Sequence, residues 1–89
     1  MHMKIKNGFM LKKVGGQNVV VALGEASRSF NGIIRLNDTG VFLWQKLQQE
    51  TSEEQLLAAL TAEYDIGEEQ AKSDIAEFIA ALRKAALLA

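Results

Sequence analysis

The order of hydrophobic patterns along the chain predicts an α+β domain, a three-stranded antiparallel sheet followed by three helices in the order βββααα. Two observations carry this. Three short runs rich in β-formers, FMLKKV at 9–14, NVVVAL at 18–23 and GIIRL at 32–36, are separated by turn residues. After Leu36 the apolar period lengthens from two residues to about 3.6 and stays there to the end of the sequence.

Taking the elements in order, Gly15-Gly16 lies between the first two strands. Glycine reaches positive φ without steric cost, so the pair marks a tight hairpin. The segment GEASRSFN at 24–31 is a longer connection, with Phe30 expected to pack inward. Gly40, Leu43, Trp44 and Leu47 fall at i, i+3, i+4 and i+7 and predict a helix over about 39–48, capped by Asn37 or Asp38. TSEE at 51–54 has the form of a capping box, and Leu56, Leu57, Leu60 and Tyr64 form the inward stripe of a second helix that Gly67 ends. The third helix, 68–87, has acids in its first turn and Arg83 and Lys84 near its end, as the helix dipole favours. It carries two apolar lines, Ala71, Ile75, Phe78 and Leu82 beside Ala76, Ile79, Ala80 and Leu87. The extra line is either the floor of a groove or a second face covered by the domain itself.

The chain has 89 residues, 48% of them hydrophobic and 24% charged, which bounds it to one domain, read over 3–89. There is no cysteine and one histidine, His2, so disulfides, thiolate metal sites and an imidazole-activated serine have no material. The carboxylates of DIGEE at 65–69 lack the spacing of a calcium loop. The reading is a non-enzyme with no cofactor and no metal. No stretch approaches the roughly 20 apolar residues of a membrane span and the N-terminus lacks a signal-peptide core, so a cytoplasmic protein without membrane contact is expected. Charge is divided: residues 1–36 hold six basic side chains against Glu25, whereas 37–89 hold four against ten acids. The halves are thus +5 and −6, a basic face and an acidic face.

Two binding classes fit a small sheet with three helices. A winged-helix DNA-binding regulator would read the major groove with a helix rich in Lys and Arg, yet the third helix sets Glu68, Glu69, Asp74 and Glu77 against Lys72 at its start. Nucleic acid is therefore the weaker alternative. The other class is β-augmentation, in which an extended peptide pairs with an exposed strand edge and drops alternate side chains into adjacent pockets.

Two motifs are more specific than these patterns: LN-x-TG-x-x-LW from Leu36 to Trp44 and D-I-x-x-F-I-x-x-L from Asp74 to Leu82. In this order and spacing they resemble the PqqD family of pyrroloquinoline quinone biosynthesis, over residues 9–88. The resemblance implies a winged helix-turn-helix-like domain that holds the leader of a ribosomally made precursor peptide on its third strand, against its third helix. It also implies that the leader is presented to a modifying enzyme, typically a radical S-adenosylmethionine protein. Carried over by position, Gly32, Ile33, Ile34, Arg35 and Leu36 would supply the pairing edge, and Lys72, Ile75, Ala76, Ile79 and Arg83 the helical wall. Arg35 is read either as a partner for a leader carboxylate or as a solvated strand residue. Lys72 is read as a wall residue or an ion-pair partner within its helix, and Ile75 as shared between core and groove. QQETS at 48–52 stands where members serving quinone synthesis tend to carry an Asp-Gly pair, which points to a relative acting on another precursor peptide. The oligomeric state stays open between monomer and homodimer.

Overall fold

The computed structural model describes residues 2–29 and 33–89. Strand β1, Phe9–Val14, runs antiparallel to β2, Gln17–Ala22. Val14 sits opposite Gln17, so the turn is Gly15-Gly16 alone. Their φ values of 58° and 78° are the two positive angles that a two-residue type I′ turn requires. A single helical turn, α1 at Ala26–Ser29, occupies the connection that reads as irregular in the sequence. The expected inward packing of Phe30 falls outside the described residues. Strand β3, Ile34–Leu36, pairs antiparallel with β2, giving the sheet order β1-β2-β3.

Helix α2, Asp38–Lys46, begins two residues after β3. Asn37 caps it: its side chain accepts from the Gly40 N–H, one of the donors that a first helical turn leaves unpaired. Helix α3, Glu53–Glu63, does open on a capping box, but Ser52 and Gln55 make it rather than Thr51 and Glu54. Thr51 is committed elsewhere, since it is buried and its backbone exchanges hydrogen bonds with Met3 in both directions. Helix α4, Glu68–Lys84, stops short of the expected 87. The chain turns at Ala86, φ 61°, which sends Leu87 into the core and lets Leu88 bridge to Ile5.

One core joins the layers. Val20 from the sheet, Leu43, Trp44 and Leu47 from α2 and its end, Leu56 and Leu60 from α3, and Ala71, Ile75, Ile79 and Leu82 from α4 are all buried in one cluster. Met3 and Ile5 complete it from the N-terminus. They lie before the first strand and show no period of their own, so pattern reading passes over them. Alternation in β1 and β3 turns Phe9, Leu11, Ile34 and Leu36 toward this cluster, leaving their neighbours to face the other way.

Candidate functional site

Strand β3 has β2 on one side and, among the described residues, no strand on the other. A row of backbone donors and acceptors is thereby left at an open edge, a feature proteins usually blunt. Beside this edge lies a groove of about 330 Å³. Ile34, Arg35 and Leu36 form one wall, the first turn of α2 and Leu43 the floor, and Asp74, Glu77, Phe78 and Ala81 of α4 the facing wall.

The local sequence explains the shape. Because Asn37 ends the strand and caps the helix at once, the start of α2 sits directly at the foot of β3. Gly40 makes that approach feasible, as a Cβ there would stand 3.2 Å from both the Asn37 side-chain oxygen and the Leu36 Cβ. On α4 the wall residues fall at i, i+3, i+4 and i+7, one continuous helical face. Ile34, Leu36 and Phe78 are half-buried, enough to pack on the core and still show apolar surface to the groove. Asp74 accepts from the Gln70 side chain at 2.8 Å, and Glu77 is exposed; neither forms an ion pair among the described residues. The groove is therefore apolar in its depth and acidic along one rim, and Arg35 borders it as a residue of the edge strand whose side chain alternates to the other face of the sheet.

The residues expected at the site divide accordingly. Ile34, Arg35 and Leu36 form the strand wall, Ile33 precedes them with its side chain exposed, and Gly32 lies outside the described residues. On α4, Ile75 and Ile79 are 2% and 3% exposed and belong to the core. Lys72, Ala76 and Arg83 are exposed and line no part of the groove; Lys72 stands 3.7 Å from Glu68 in an ion pair one turn away. At 100° per residue they flank the core stripe on one side, and the groove opens on the other. Asp74, Glu77, Phe78 and Ala81 are absent from the site expected from the sequence, where Phe78 stands instead in the apolar line with Ala71, Ile75 and Leu82. In the structure Ile79 takes the place of Phe78 in the buried line, and Phe78 is only half-buried at its edge.

A three-stranded antiparallel sheet followed by helices, with an open edge strand facing a helical wall, defines an α+β domain. Residues 17–88 match the family described as Coenzyme PQQ synthesis protein D (PqqD), and the chain belongs to that family. Two solved structures share its fold. TbiB1 in complex with the TbiA(beta) leader peptide has a TM-score of 0.72 at 22% identity, covering 96% of this chain and 93% of that one. A lasso peptide synthetase B1 complexed with the leader peptide has a TM-score of 0.72 at 20% identity, covering 98% and 96%. Comparison with curated protein sequences gives no match.

Proposed function

We propose that this chain is a non-enzymatic recognition protein that binds the leader of a ribosomally made precursor peptide and presents it to a modifying enzyme. The observation that carries the reading is the open edge of β3 beside the apolar groove on α4. An extended peptide that pairs with Ile34, Arg35 and Leu36 satisfies the free backbone groups of that edge, while its alternate side chains enter the groove against Phe78 and Leu43. Membership of the PqqD family supports the reading, as do structural neighbours that are themselves complexes with leader peptides. The groove is complete within one chain.

The family resemblance points to a radical S-adenosylmethionine protein as the modifying enzyme and to the cytoplasm, where precursor peptides are made, as its setting. Among the described residues no helix is long and apolar enough to cross a membrane. A DNA-reading role is not favoured: α4 is acidic in its first half, and the exposed acids Glu68, Glu69 and Glu77 would meet phosphates unfavourably. QQETS at 48–52 supports a precursor peptide other than that of pyrroloquinoline quinone.

The test is an NMR titration of labelled protein with the leader of a precursor peptide encoded beside the chain's gene. Amide shifts are expected at Ile34–Leu36, Phe78 and Ala81. Shifts confined to α3 or to the Gly15-Gly16 turn, with β3 unmoved, would refute the proposal.

A further inference from the structure

The face of the sheet turned away from the helices carries a second surface, which shares only Arg35 with the groove. Antiparallel sheets with one buried face usually show polar side chains on the other. Here that alternation fails. Met10, Val14 and Ile33 are 43%, 55% and 68% exposed, and Val21 pairs with Met10 beside them. Val14, Val19, Val21, Ile33 and Arg35 line a shallow trough on this face. Val19 is only 6% exposed although it is no part of the core cluster. Its cross-strand neighbours are Lys12 on one side and Arg35 on the other, and their long apolar stems shelter it while the charges stay in water. The surface is thus an aliphatic strip with two cations beside it.

Charge selects the occupant. The three strands contain no carboxylate, and neither Lys12 nor Arg35 has an ion-pair partner among the described residues. A second copy docked through this face about a two-fold axis would bring like charges together with no acid on the strands to offset them. Nucleic acid would find cations but no stacking platform, because the only aromatic residue of the strands, Phe9, points to the core. What complements the face is a different protein bearing aliphatic side chains bordered by carboxylates.

We propose that the outer face of the sheet is the docking surface for such a protein. The leader-binding groove lies at the β3 edge and on the helical side; the two surfaces meet at Arg35, which offers its backbone to the edge and its side chain to the outer face, so both can be engaged at once. In the leader-binding reading this partner is the enzyme to which the peptide is presented, but the docking surface stands on its own geometry.

The test places the photocrosslinking residue p-benzoylphenylalanine at position 10 and, separately, at position 33 of the full chain, expressed in the organism that encodes it. Position 62, exposed on α3, is the control. One heterologous protein is expected in the adducts from 10 and 33 and not from 62. That protein, identified by mass and purified, is then titrated with the wild-type chain and with a Met10→Glu, Lys12→Glu double variant. Both substitutions are on β1, the strand farthest from the groove, so leader binding is left intact and the two proposals fail separately. Affinity should fall by roughly tenfold or more on loss of apolar contact and reversal of a rim charge, and Lys12→Arg should retain it. A covalent dimer of the chain, an adduct with nucleic acid, labelling at 62 equal to that at 10 and 33, no adduct at all, or an affinity unmoved by the double variant would each overturn the proposal. A thermal melt of the double variant confirms that both exposed substitutions leave the fold in place.

Discussion

The Asn37 side-chain oxygen accepts a hydrogen bond from the Gly40 N–H at 2.8 Å, and this single contact ties the end of β3 to the start of α2. Both residues line the groove. Removing the cap by Asn37→Ala leaves a first-turn donor unpaired and should cost about 1 kcal/mol of stability. Chemical denaturation of the two proteins measures it. Asn37→Asp retains the acceptor and should lose only a small part of that. Equal losses in both variants would show that the cap contributes little.

The third strand and the last helix can be separated by two substitutions on α4. Ile79→Ala opens a cavity in the core and should destabilise the protein by about 2 to 5 kcal/mol. Ala81→Lys changes an exposed groove residue, so it should leave the melting temperature nearly unmoved while blocking the leader. Ala80→Lys, at an exposed position that lines no part of the groove, is the control and should alter neither. The measurements are thermal melts and isothermal titration with the leader peptide. An Ala81→Lys protein that binds as well as wild type would exclude this wall from the site.

Lys72 pairs with Glu68 across one turn at 3.7 Å, with both side chains more than half exposed. Pairs of this kind contribute roughly 0.3 to 0.5 kcal/mol and are screened by salt. Lys72→Ala should therefore shift the denaturation midpoint slightly, less so in high salt, and leave leader affinity unchanged. A large loss of affinity would return Lys72 to the binding surface.

Gly8 has φ 98°, and a Cβ added there would lie 2.9 Å from the Ala26 Cβ. Neither the backbone angle nor the space suits an L side chain. Gly8→Ala should destabilise by more than about 1 kcal/mol, read from urea melts, because positive φ and the contact with α1 act together. A melt that matches wild type would mean that the turn before β1 relaxes freely.

Sequence and tertiary structure divide this protein along a clear physical line. Local chemistry determined the two-glycine hairpin, a helix cap at Asn37 or Asp38 and the presence of the three helices with an apolar side to each, because each depends on residues within a turn or two of one another. The same holds for the strand wall of the groove, since Ile34, Arg35 and Leu36 follow from a β-run that ends at a helix cap. Which flank of the α4 stripe meets that strand was not legible. Periodicity offers two lines, one with Ala71, Ile75, Phe78 and Leu82 and one with Ala76, Ile79, Ala80 and Leu87. The structure buries Ala71, Ile75, Ile79 and Leu82, with Lys72, Ala76 and Arg83, carried over from the family resemblance, on one flank and Asp74, Glu77, Phe78 and Ala81 on the other. Only the placement of the sheet decided between the flanks. Met3 and Ile5 were hidden for a related reason: they are buried through contacts between the N-terminus and distant parts of the chain, which leave no period in the sequence, while Leu87, read as part of a helical line, reaches the core only through the turn at Ala86 beyond the helix.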